Sequence, residues 1–296
     1  MARLGIRRSQ DRRRRRSNRR WYGNAAIYSM LCFLGLFMIL PILYSGMNAF
    51  KPLDELYRFP PRFFVQRPTG TNFFLLHKLS SNLWVPFSRY LFNSVFVAMA
   101  ATVGHVVIAS MAAYPLAKFR LPVKWLFDLV VMTLLFNGVA LWIPQYVILA
   151  QTGMINTFFA YIVPGLAAPI GLFLMKQFME QVPFTLIESA MIDGAKHTRV
   201  FWQIVMPQVK PAWLTLTVFS FQSVWNQQAY GIVFDEQRKL LNNAIESIGS
   251  VMSGQFQARL GVAMAGAVIL MIPPILVFVL TQDKVIETMA HSGIKG

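Results

Sequence analysis

Acidic side chains are scarce: 12 Asp and Glu stand against 28 Lys and Arg in 296 residues, and charged residues of both signs make up only 14% of the chain. With 55% of residues hydrophobic, the sequence is too apolar for a soluble domain of its length, and a membrane protein is the first conclusion. Its one cysteine, Cys32, lies inside an apolar run, so the chain can form neither an intrachain disulfide nor a cysteine-based metal cluster. The phosphate-cradling pattern Gly-x-x-x-x-Gly-Lys-Ser/Thr is missing, which excludes that way of holding ATP. His-Glu-x-x-His and Gly-x-Ser-x-Gly are missing too, and His77, His105, His197 and His291 are scattered without ligand spacing. No catalytic residue and no metal site can be assigned, and the chain does not read as an enzyme.

What is present is a set of apolar runs, at about 25–50, 90–115, 125–149, 157–177, 212–234 and 260–282. A helix needs roughly 20 residues to cross a bilayer, so these predict an all-α polytopic fold with six spans and both termini on one side. Residues 1–24 form a basic arm with 10 of the 28 Lys and Arg. Trp21 and Tyr22 stand at its end as an interfacial anchor would, so the arm reads as facing lipid headgroups and setting topology, not as binding nucleic acid. With the arm cytoplasmic, the inner segments hold 19 Lys and Arg and the outer ones 9. Residues 51–89 then form an outer loop, 178–211 a cytoplasmic one, and 25–296 together a transmembrane domain.

The stretch 183–211 is the least at home in lipid. It carries Glu188, Asp193, Lys196, His197 and Arg199 between two apolar runs, too many charges for a buried span. Ile187, Ala190, Met191 and Ala195 share one helical stripe, and Asp193-Gly194 is a turn signal. Val200, Phe201, Ile204 and Val205 make a second apolar face that Pro207 is expected to end. A short helix-turn-helix with one greasy and one charged face can lie at the membrane surface and offer a knob to a soluble partner.

The spacing of Glu188, Ser189, Ala190, then Gly194, then Ile204 and Pro207 resembles the E-A-A, x3, G, x9, I-x-L-P loop of permease subunits of ATP-binding-cassette importers. Ser189 and Met206 depart from it mildly. Pro183, Asp193, Pro211, Asn93-Ser94, Ala112-Ala113-Tyr114, Asn156-Thr157 and the terminal Ser-Gly-Ile-Lys-Gly resemble the carbohydrate-importing branch over about residues 25–296. The resemblance implies a bacterial inner-membrane protein that forms half of a translocation path. Its implied partners are a second permease, a dimer of ATP-binding subunits that hold ATP and Mg, and an extracytoplasmic solute-binding protein. It also implies that Glu188, Ser189, Ala190, Asp193, Gly194, Ile204 and Pro207 belong to the coupling helix that docks on an ATP-binding subunit.

Aromatic faces beside amide groups suit stacked, hydroxylated sugar rings, so Gln222, Trp225, Asn226 and Tyr230, with Ala229, and Trp142, Gln145 and Tyr146 are candidate lining residues for an oligosaccharide path. The same residues could instead only bond neighbouring helices. His105 reads as a helix-to-helix hydrogen-bonding residue, and Asp128 as the ion-pair partner of Lys124. Six basic residues against Asp54 and Glu55 give the outer loop a positive balance that would steer an acidic oligosaccharide, or that merely meets lipid headgroups. The alternative of another class is an ion- or proton-coupled transporter acting alone. Such a protein places ionisable groups at mid-membrane, where this sequence has almost none.

Overall fold

Small residues at intervals of three and four decide which helix sits in the middle. In the segment Phe87–Lys118 the buried positions are Tyr90, Asn93, Val97, Ala98, Ala101, His105, Ala109, Ala113 and their immediate neighbours, one stripe of a helix. Alanines on that stripe let neighbouring backbones approach closely, so other helices gather around it. The structure, a computed structural model, describes the backbone of residues 2–292 except 82–84, 120, 121, 123, 137, 229, 230 and 252–255. Side chains are described between 24 and 282, apart from short gaps around those positions, at 139 and over 249–259.

The described chain is all-helical. Helix α1 (Ala2–Ala49) joins the basic arm and the first span in one rod about 72 Å long at 1.5 Å per residue, with Pro41 inside it. The loop over 51–89 follows, with a single turn α2 (Leu53–Leu56) and α3 (Thr71–Ser81). Then comes the central α4 (Phe87–Lys118), followed by α5 (Lys124–Thr133) and α6 (Gly138–Gln151). Next are α7 (Phe159–Leu166) and α8 (Pro169–Gln181). The charged segment contributes α9 (Phe184–Ile192), α10 (His197–Val200), a π-helical turn over Phe201–Val205, and α11 (Met206–Gln208). The last helices are α12 (Lys210–Trp225), α13 (Leu241–Val251) and α14 (Phe256–Ser292).

Among the described residues four segments are long and apolar enough to cross a membrane: Asn24–Ala49, Phe87–Lys118, Phe159–Gln181 and Leu260–Gln282. The other two expected spans are shorter or broken. The run 125–149 divides into α5 and α6 at a turn over Leu134–Phe136. The run 212–234 is helical only to Trp225, because Asn226 caps the helix and Gly231, with φ +75°, lies beyond it. The fourth span itself breaks before Pro169, where Ala168 takes an extended ψ of 122°, as a residue preceding proline prefers.

Three apolar cores run along this frame. The N-terminal half of α4 packs Tyr90, Val97 and Ala101 with Leu149, Tyr161, Phe221, Trp225 and Leu241. Its C-terminal half packs Ala109, Ala113 and Tyr114 with Met175, Met179, Ile187, Val200, Val205 and Leu216. A third core joins Ala49 and Leu76 to Ile248, Val262 and Ala265. By contrast, the apolar side chains of α1 from Ile27 to Leu43 are mostly exposed, among them Phe33, Phe37 and Met38, the surface expected of a helix that faces lipid.

His105 ties three elements at the level of the break in the fourth span. Its Nδ1 lies 3.1 Å from Ser220 Oγ on α12, and its Nε2 lies 3.0 Å from the carbonyl oxygen of Ala168. Both ring nitrogens are engaged inside the bundle, which is the bonding role expected of it. The imidazole fits only because residue 171 has no side chain: a Cβ there would stand 2.3 Å from Nε2.

Candidate functional site

The segment 183–211 builds its knob from a helix stop. Helix α9 ends at Asp193, and Gly194 takes φ +82°, the left-handed region that glycine enters without strain. Gly194 N–H donates to Met191 O at 3.0 Å and Ala195 N–H to Ala190 O at 2.9 Å. These are the paired bonds of a Schellman cap, which satisfies carbonyls that the helix end leaves orphaned. The chain then reverses into α10.

One face of this turn is sunk into the core around the C-terminal half of α4. Ile187, Val200 and Val205 are fully buried there, with Ala190, Ala195 and Ile204 partly covered beside them. Phe201 packs on Tyr114 with ring centroids 5.4 Å apart, Tyr114 on Phe119 at 5.8 Å, and Phe119 on His197 at 5.5 Å. Lys118, at the last turn of α4, donates to the carbonyl oxygens of Val182 at 2.5 Å and Glu180 at 3.3 Å. That lysine caps the end of α8 and fastens it to α4 just where α9 begins. In the sequence Lys118 shows only as a positive charge beside a span, and its place in the last helical turn is the signal of a cap.

The opposite face is open. Glu188 and Asp193 are exposed and form no ion pair with the described residues. Around them Phe184, Leu186, Met191 and Ile192 are also exposed, Ile192 by 82%. Ser189, in place of the alanine of the resembled motif, donates to Thr185 O at 2.8 Å, so its hydroxyl is satisfied within α9. The second helix passes through a π-helical turn over Phe201–Val205 and ends at Gln208, one residue beyond Pro207, where Val209 leaves the helical region.

The candidate path residues are not one face. Trp225 is only 2% exposed, stacks on Phe221 at 5.6 Å and donates through Nε1 to Leu270 O at 3.0 Å. Gln222 and Asn226 are exposed, and Gln222 lines a cleft of about 220 Å³ with Val218, Phe221, Pro274 and Phe278. Tyr230 and Ala229 lie outside the described residues. Trp142 is 38% exposed and stacks on Tyr146 at 5.9 Å, while Gln145 is half-buried. Asp128 is described, but the side chain of Lys124 is not.

At the N-terminal end of α4 the two asparagines noted in the sequence act as clamps. Asn93 donates to Gln237 O at 2.8 Å and Lys239 O at 3.0 Å, while Ser94 Oγ accepts from Leu241 N–H at 2.7 Å. Asn156, at φ +60°, accepts from the N–H groups of Phe234 and Asp235. Tyr90 donates to Glu236 at 3.0 Å. The 232–241 segment is thereby pinned to α4 and to the turn before α7.

Residues 92–290 match the family described as binding-protein-dependent transport system inner membrane component. The chain belongs to that family. This permease is 32% identical over 218 residues to the sn-glycerol-3-phosphate transport system permease protein UgpE of Yersinia enterocolitica, covering 73% of this chain and 77% of that one. It is 28% identical over 276 residues to protein LplC of Bacillus subtilis, covering 89% and 91%. Its fold is similar to a chain in the crystal structure of a bacterial transporter involved in the import of the acidic polysaccharide alginate, with TM-score 0.71, 20% identity, and 88% and 95% of the two chains covered. The permease is thus a multi-pass inner-membrane transport component, which replaces the alternative of an ion-coupled carrier acting alone. Among the described residues no group of three or more His, Cys, Asp or Glu could hold a metal ion.

Proposed function

We propose that this permease is one of two membrane subunits of an ATP-driven importer of an oligosaccharide, and that α9 is the element through which an ATP-binding subunit moves it. The observation that carries this reading is Glu188, without an ion-pair partner among the described residues, on an exposed, partly apolar helix whose other face is sunk in the core around the C-terminal half of α4. A knob built so cannot be displaced without moving α4, α8 and α12, since Ile187, Met179, Ala113 and Leu216 share one core. ATP-driven closure of two motor subunits would pull the docked α9 and rock the spans from inward-open to outward-open. ATP and Mg belong on those subunits, the arm and both termini face the cytoplasm, and an extracytoplasmic binding protein delivers the solute at the opposite end.

We also propose that the solute is acidic. Arg67 pairs with Asp54 and lies beside Glu55, and Lys51 is buried, so the outer loop's two acids are engaged in that pairing. Arg58, Arg62 and Arg89 remain exposed on the outer surface. An outer field of that sign raises the local concentration of anions. The name of UgpE, which refers to a phosphorylated glycerol, supports the same sign.

Charge reversal, Glu188→Lys, tests the coupling. The residue is exposed and unpartnered, so the variant should keep its melting midpoint within about 1 °C while uptake and binding-protein-stimulated ATP hydrolysis collapse. Unchanged uptake and hydrolysis would sink the coupling role. Uptake of an oligouronate in preference to a neutral glucan of equal length is expected, and equal uptake removes the acidic solute while leaving the importer intact.

A further inference from the structure

Helix α14 carries two consecutive prolines, Pro273 and Pro274, in its interior. A proline has no N–H, so the carbonyl four residues earlier loses its helical donor: Ile269 for Pro273, and Leu270 for Pro274. A break of that kind in a membrane span is tolerated only where some other group satisfies the freed backbone. For Leu270 the group is visible. The indole N–H of Trp225, at the last residue of α12, donates to Leu270 O at 3.0 Å. Trp225 is 2% exposed and its ring is held parallel to Phe221, so the donor is aimed by packing and shielded from competing solvent.

The same joint shapes a cleft. Pro274, Ile275, Val277 and Phe278 of α14 face Val218, Phe221 and Gln222 of α12 around the 220 Å³ opening. Gln222 is one turn before Trp225, and Phe221 is shared by the indole stack and the cleft wall. The bond therefore sits at one end of the opening and fixes how far apart α12 and α14 stand along it.

We propose that Trp225 is a positioning residue: its indole N–H replaces the backbone donor that Pro274 removes, pinning the proline joint of α14 to the end of α12 and setting the width of the cleft beside Gln222. It does not face the path with its ring. The consequence for transport rests on the importer reading, whereas the geometry does not, and the test measures geometry.

A double-mutant cycle in the full chain separates the hydrogen bond from packing. Trp225→Phe keeps an aromatic ring against Phe221 and removes the donor together with part of the buried indole, a packing loss that both backgrounds share. Pro274→Ala gives residue 274 an N–H that can bond Leu270 O within the helix. The first readout is the melting midpoint of the purified chain. Trp225→Phe should lower it by about 2–4 °C more with Pro274 present than in the Pro274→Ala background, the difference expected for one buried hydrogen bond. The second readout is the rate of disulfide formation between Val218→Cys and Phe278→Cys with Cys32→Ser, which reports the separation across the cleft. Trp225→Phe should change that rate several-fold with Pro274 present and leave it unchanged with alanine there. Equal effects of Trp225→Phe in both backgrounds would show that the indole only packs. A coupled midpoint with an unaltered cross-linking rate would show a stabilising bond that positions nothing. Either result overturns the proposal. Failure of the importer reading would leave both readouts untouched, so the two are distinguishable.

Discussion

Adding one methyl group at Gly171 sets two physical effects against each other with opposite signs. Gly171 is in the first turn of α8, and helix propensity alone predicts that Gly171→Ala stabilises the helix by up to about 1 kcal/mol. The structure predicts the reverse. A Cβ at 171 would stand 2.3 Å from His105 Nε2, 2.8 Å from its Cε1 and 2.9 Å from Ala109 Cβ, where ordinary contact begins at about 3.4 Å. The imidazole has to retreat by roughly 1 Å, which carries Nε2 away from Ala168 O and strains the bond from Nδ1 to Ser220. Buried polar groups left without partners cost about 1–3 kcal/mol each. With two such bonds affected and the propensity gain subtracted, the net loss is about 1–5 kcal/mol, or roughly 3–15 °C in the melting midpoint. Thermal melting of the purified chain reads this directly. His105→Ala supplies the control, since it removes the obstructing ring, and Gly171→Ala should cost much less in that background, where only the 2.9 Å approach to Ala109 Cβ remains. A midpoint for Gly171→Ala at or above that of the parent chain would refute the close fit of His105 against α8.

Two further outcomes follow from the same geometry. Gly194→Ala meets no atom within 4 Å, so its cost comes from φ +82° alone and should be about 1–2 kcal/mol by melting. Gly194→Asn, a side chain tolerated in that region, should cost measurably less. A larger loss for asparagine would speak against the left-handed cap. Lys51 is buried beside Asn48 and the carbonyl of Arg62, and burial lowers its pKa from the ordinary 10.5, against the pull of Glu55. The unfolded chain then binds the proton more tightly than the folded one, so stability should rise as pH climbs from the lowered value toward 10.5. Melting of the parent chain against Lys51→Met across that alkaline range checks it, and parallel curves would contradict the burial penalty.

Much of this molecule was legible in its residues. The apolar runs anticipated the long helices α1, α4 and α14. The spacing of Glu188, Ala190, Gly194 and Ile204 identified the knob, because helical periodicity and a glycine turn are local properties. His105 was read correctly as a bridge between helices, since a lone imidazole in an apolar stripe has to find partners there. What local pattern could not supply was the partner surface. Periodicity gives the angle of Trp225 around α12 but not that Phe221 and Leu270 O meet it there, and a proline at 207 does not reveal the π-helical turn that precedes it.

Composition and spacing by themselves determined that this chain lives in a membrane, that it lacks its own phosphate loop, and that a charged helix-turn-helix lies between its spans. Each of these depends on residues close in sequence and on transfer from water to lipid, which a one-dimensional pattern records. Tertiary structure decided what that pattern cannot hold: that α9 is rooted in the core of α4 and α8, that Lys118 fastens the junction, and that the indole of Trp225 answers a carbonyl 45 residues away in sequence. Those are long-range pairings. Their energy comes from the shape and polarity of a partner surface that exists only once the helices have packed.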